Sequence, residues 1–221
     1  MSAISAAEQQ YKDVIQKSLE HFAGASFKEE IFNAKTEFFE NAGVLDENAP
    51  HYELRMSQFF DWYFFTRDLR GYGQTPLESL GMARELRFSP DENKVIENLR
   101  NHRHSLFEFI KAKGPDVYLR DLLKNDKIVV RDCPFTSGFN SEEIFEARLL
   151  PYEDTWIFTR GFCFHPLDAR KYILSESKRH RKDSDLNPED LMLKLIKMRY
   201  RSDRYRHVRV DLIYSDDSKM G

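Results

Sequence analysis

Near Ser105 the apolar residues change period, and that change limits the fold more than any other feature. Up to that point they recur every three or four positions, the spacing of amphipathic helices. Ala7 to Phe22 carries Tyr11, Val14, Ile15, Leu19 and Phe22 on one side, and Gly24 ends it. Ser26 and Glu29 have the spacing of a capping box for a second helix bearing Phe27, Ile31, Phe38 and Phe39, which Gly43 stops. Asn48 to Pro50 reads as a loop. Thr75-Pro76-Leu77-Glu78 and Ser89-Pro90-Asp91-Glu92 each combine an N-cap, a proline at the first helical position and a glutamate to close the box. The second start opens a helix expected to face Val95, Ile96, Leu99 and Leu106 inward.

After Ser105 come five short β-rich runs: LFEFI, VYLRDLL, KIVVRD, IFEARLL and TWIFTRGFCF. Gly114-Pro115-Asp116, Asn125-Asp126 and Pro151 to Asp154 separate them as turns. Past His165-Pro166 the period is helical again, with Ala169, Tyr172, Ile173 and Ser177 on one side. Asn187 caps a last helix that turns Leu191, Leu195, Ile196 and Met198 inward. The alternation of Val208, Val210, Leu212 and Tyr214 predicts a terminal strand. The fold class expected is α+β: a helical N-terminal part over 1–104, a small antiparallel β barrel-like module over 105–165, and C-terminal helices over 166–221 that pack back. These three regions are also compatible with one integrated domain, since no long flexible linker separates them. With 41% apolar and 14% aromatic residues in 221, the chain can bury a substantial core.

The stretch MSQFFDWYFFTRDLRGYG, from Met56, holds seven aromatic residues between Phe59 and Tyr72. Met56, Phe59, Phe60, Tyr63 and Phe64 follow i, i+3, i+4, i+7, i+8, and Trp62 and Phe65 widen the stripe. A helix apolar on most sides is a buried helix, so the stripe is read as packing and not as a stacking platform. Asp61 is the odd residue in it, expected to cap a neighbouring helix or to pair with an arginine such as Arg67. His102 and His104 form one pair with no third ligand, and read as a polar helix end. Cys163 and His165 share a face of a strand without an orienting third group. Cys133 reads as a small apolar filler, and two cysteines make neither a disulfide framework nor a zinc pattern. Gly71-Tyr72-Gly73 is not a dinucleotide fingerprint, and no Walker pattern exists. No catalytic residues, metal ligands or cofactor are assigned on this basis.

FFDWYFFTRDLRGYGQTPLESL, SPDENKVIENLRNHRHSLFEFI, VYLRDLLKNDKIVVRD and FEARLLPYEDTWIFTRGFCFHP occur in that order over roughly residues 54 to 166. Together they resemble a poorly characterised bacterial group with an F-x-DW-F/Y helix, a G-x-T-x-x-E helix and a small β module. Some proteins resembling that group carry SEC-C zinc motifs of the CxC type. This chain has no CxC pair, so a zinc role does not carry over; the resemblance implies architecture.

Charge is unevenly distributed. Arg170 to Arg209 holds thirteen Lys or Arg against six Asp or Glu, a surplus of seven; the net −3 of the whole chain leaves −10 for the rest. Lys178, Arg179, Arg181 and Lys182 form one basic run. Lys197, Arg201, Arg204 and Arg206 form another, interleaved with Tyr200 and Tyr205. Lys194, Lys197, Arg201 and Arg204 fall on one face of a helix. Cations suit phosphates and tyrosines suit stacking, so RNA or another polyanion is the expected partner. The alternative is a protein–protein adaptor whose basic segment pairs internally or meets an acidic protein surface. No run of 18 apolar residues occurs, and MSAISAAEQQYKDVI lacks the basic and apolar parts of a signal peptide. The expectation is a cytoplasmic, non-membrane, non-enzymatic binding protein.

Overall fold

A computed structural model describes residues 3–46, 51–134 and 139–216. It shows an α+β fold of helices and one antiparallel sheet. The elements are α1 (Ala3–Phe22), α2 (Lys28–Ala42), α3 (Tyr52–Phe65), α4 (Pro76–Ser79) and α5 (Pro90–Arg100), then β1 (Arg103–Lys113), β2 (Asp116–Asp121), β3 (Asp126–Val130), β4 (Ile144–Tyr152), β5 (Thr155–Phe158) and β6 (Cys163–Phe164), and finally α6 (Arg170–Lys182), α7 (Pro188–Arg204) and α8 (Val210–Ile213). The strand order is β3-β2-β1-β4-β5, with β6 on β4. The chain forms two compact units, each assembled from three separate pieces of sequence.

The first unit comprises Met1–Phe38, Glu47–Arg103 and Arg148–Gly161. The C-terminal half of α3 is buried because its aromatic residues leave little polar side to hydrate. Phe59, Trp62, Tyr63, Phe64 and Phe65 are all buried. The Phe38 ring of α2 sits 5.8 Å from Phe59 and 5.3 Å from Trp62. The Tyr63 hydroxyl donates to the Phe22 carbonyl at 2.7 Å, which satisfies the one polar atom this ring carries inward. α1 adds Tyr11, whose hydroxyl donates to the Pro151 carbonyl and accepts from Asn98. Both capping boxes form: Thr75 accepts from the Glu78 amide and Ser89 from the Glu92 amide, with each glutamate returning to its cap.

The second unit comprises Phe39–Asp46, His104–Ala147 and Phe162–Gly221. β1, β2 and β3 make a meander in which Phe109 pairs with Leu119 and Leu119 with Ile128. Ile110 bulges out of β1. Leu106, Leu122 and Ile144 pack with Ala169, Ile173, Leu191, Leu195 and Met198 into one core. The helical periods of α6 and α7 therefore point where their sequence predicts.

Several expectations need correction. The segment around Val208 to Tyr214 is not a strand. It makes the short helix α8, which buries Ile213 and Tyr214. Leu106 belongs to β1, since α5 ends at Arg100. Ser26 is no N-cap; it lies inside a 3-10 turn, Ala25–Phe27, ahead of α2. The run TWIFTRGFCF splits into β5 and β6. The loop expected at Asn48 to Pro50 lies outside the described residues.

Candidate functional site

The ten residues proposed for polyanion contact all lie on or just beyond α6 and α7 in the second unit. Lys178, Arg181 and Lys182 stand at i, i+3 and i+4 on the last turns of α6, so they share one exposed face. None has a carboxylate partner among the described residues; Arg181 Nη1 donates to the Leu122 carbonyl. Arg179 turns aside to Glu176 at 3.2 Å. The positive charges also complement the negative C-terminal end of the helix.

A second basic group sits at the C-terminal end of α7, about 24 Å along that helix from Pro188. Arg201 and Arg204 occupy its last turn and Arg206 follows. Arg204 donates to the Tyr200 hydroxyl at 3.2 Å and lies 5.8 Å over the Tyr205 ring. Hydrogen bonding to Tyr200 holds the Arg204 pKa above its ordinary value. Arg206 donates to the Asp203 carbonyl. Lys197 donates to the Glu40 carbonyl at 3.0 Å. Tyr200 packs so closely on Gly43 that an added Cβ there would come within 2.6 Å of its ring. The structure thus divides the ten residues into two clusters and covers part of one tyrosine.

The expected cationic stripe is interrupted at Lys194. That ammonium meets Asp216 at 2.5 Å and Glu176 at 3.4 Å and lies over the Tyr172 ring. Burial works to lower its pKa, but hydrogen bonds to Asp216 and Tyr172 outweigh burial and hold it above the ordinary lysine value. Its charge is already neutralised.

The histidines separate. His102 follows α5 and packs edge-on against Phe65 in the first unit. His104 lies on β1 in the second unit, between two carboxylates: Nδ1 is 2.8 Å from Glu189 and Nε2 3.0 Å from Glu146. Each ring nitrogen therefore has a carboxylate oxygen within hydrogen-bond distance. The two acids stand at opposite edges of the ring, so no single ion reaches all three. Among the described residues, no group of three or more His, Cys, Asp or Glu is placed to hold a metal. Nothing in the spacing of residues 104, 146 and 189 announces this cluster.

His165 is buried, with Nδ1 3.0 Å from the Tyr214 hydroxyl and no partner for Nε2 among the described residues. Burial first, and then the charge of Arg199, push its pKa down to about 3. Asp61 accepts from Thr159, while Arg67 pairs with Glu30 and Glu37 and not with Asp61. Arg67 is therefore not the partner expected for that carboxylate.

A family of unknown function, DUF7986, matches residues 8–204. The chain belongs to that family. No curated protein and no solved structure matches it. The DUF7986 match takes in α2 to α7, and with them both basic clusters as far as Arg204; Tyr205, Arg206 and α8 fall beyond it. No helix among the described residues is long and apolar enough to cross a membrane.

Proposed function

We propose that this chain is a non-enzymatic, cytoplasmic binding protein of bacterial type that holds RNA or another polyanion on the basic end of α6. The observation that carries this reading is the shared face of Lys178, Arg181 and Lys182, exposed and without carboxylate partners among the described residues. Arg201, Arg204 and Arg206 would extend the contact along α7. A strand about 24 Å long, some four or more extended nucleotides, would run the length of α7. The resemblance to a bacterial group, some of whose relatives carry SEC-C motifs, supports the setting and not a zinc role.

The test is binding of a labelled single-stranded RNA across a salt series. Log K should fall linearly with log salt. The double variant Lys178→Glu/Lys182→Glu should weaken binding about tenfold or more at low salt and flatten the slope by about 0.7 for each phosphate that it ceases to neutralise. RNA binding that ignores both salt and this variant would reject the reading.

One observation favours a protein–protein adaptor instead. Leu167 and Leu212 are 58% and 56% exposed, on a 3-10 turn and on α8, which pack together. An interaction abolished by Leu212→Asp and insensitive to Lys178→Glu would select that reading.

A further inference from the structure

The first unit contains an open cleft of about 650 Å³ that neither the basic clusters nor the aromatic core explains. Its apolar wall is built from rings that the fold leaves outside the α3 stripe. Tyr72 is held out on a loop between Gly71 and Gly73, both at positive φ, where glycine avoids the strain other residues incur. The Tyr72 and Gly73 amides donate to the Leu69 carbonyl, which fixes the loop. Tyr72 remains 55% exposed, with the Phe27 ring 6.3 Å away, and Met82, also on the lining, is 54% exposed. Large apolar groups left wet around one concave space suit a flat ring.

The polar lining is equally specific. Arg70 and Arg84 are exposed on the cleft, and neither guanidinium has a carboxylate partner among the described residues. Of the acids there, Glu30 shares the Arg67 guanidinium with Glu37, and Glu85 faces His21 at 3.9 Å. Glu29 has no cationic partner among the described residues. Ser79 is 2% exposed, lines the same cleft, and its hydroxyl has no partner among the described residues.

We propose that this cleft binds a small molecule that combines a flat ring, an anionic group and an N–H donor. The ring lies against Tyr72 and Phe27, the anion meets Arg70 and Arg84, and the donor meets Glu29. Two sources share this chemistry, a purine nucleoside monophosphate and an aromatic amino acid.

The experiment is isothermal titration of the full chain at low salt with AMP and, separately, with L-tryptophan. Saturable one-to-one binding of at least one probe is expected. Arg84→Glu and Tyr72→Ala should each weaken it about tenfold or more, because the first removes a charge-assisted hydrogen bond and the second a stacked ring. Lys178→Glu/Lys182→Glu should leave it intact, which separates this site from the basic end of α6. Binding of AMP alone assigns the anion site to phosphate, and binding of tryptophan shows that a carboxylate suffices. Absence of saturation by either probe, or binding that survives Arg84→Glu combined with Tyr72→Ala, overturns the proposal.

Discussion

Gly43 shows how much one residue can carry. In the sequence it reads as a helix stop, and α2 does end at Ala42. Its φ is +93°, a region that L side chains rarely adopt, and a Cβ there would lie 2.6 Å from Tyr200 Cδ1. Both effects act against any side chain, and the first holds even if the ring moves aside. Gly43→Ala should therefore destabilise the chain by about 2–4 kcal/mol, read as a lower urea midpoint at unchanged slope. If Tyr200→Ala in the same background recovers part of the loss, the steric share is confirmed. Gly161 raises the same question in the first unit, where a Cβ would lie 2.5 Å from Asp61 Oδ2. The carboxylate is held by Thr159, so Gly161→Ala should also destabilise, and by about 1–3 kcal/mol, the ordinary cost of overpacking.

At the scale of elements, the best-read features were those with local causes. Thr75 and Ser89 cap their helices because all partners lie within three residues of the cap. Ser89→Ala should cost about 1 kcal/mol, while Ser89→Asp should recover most of it; thermal unfolding of the two variants checks this. α3 was legible for a related reason, since an all-round apolar helix has only one place to go. The terminal strand failed where distant partners decide, whereas the capping box at Ser26 failed locally, inside a 3-10 turn. Val208 to Tyr214 alternates like a strand, yet the residues buried are the adjacent Ile213 and Tyr214, and Tyr214 is held by His165 from 49 positions earlier. The candidate site divides in the same way. Composition located the basic segment, and periodicity placed Lys194 on its face. Only the fold shows that Asp216 and Glu176 take that charge while Lys178 and Lys182 stay open. Tyr72 left a faint trace, as the aromatic residue outside the helical period, but nothing in the sequence joins it to Arg84 or Ser79.

At the scale of the whole molecule, stability should respond to pH in a window set by one buried imidazole. An unfolded histidine takes up its proton near pH 6.5, whereas His165 in the fold resists until about pH 3. Its surroundings are Tyr214, Cys163 and the cationic Arg199, none of which welcomes a second positive charge. A base whose folded pKa is depressed favours the fold only above its unfolded value. Stability is therefore full above about pH 6.5 and falls as the pH drops towards 3, because the unfolded chain alone gains the proton. His180 shifts the same way, through burial and Arg179, and adds to the slope. Asp216 and Glu92, both held low by lysine hydrogen bonds, add their losses only below the ordinary carboxylate range. The interval from about pH 7.5 to about pH 5.5 therefore belongs to the histidines, and His165 accounts for about 1 kcal/mol of the stability that disappears across it. Urea titrations at the two pH values should show that loss in the unaltered chain. His165→Gln, which keeps a hydrogen-bond partner for Tyr214 but cannot titrate, should lower stability at the higher pH and remove most of the difference between the two. An equal loss in both proteins would place the acid sensitivity elsewhere and show that a proton reaches His165 in the folded chain.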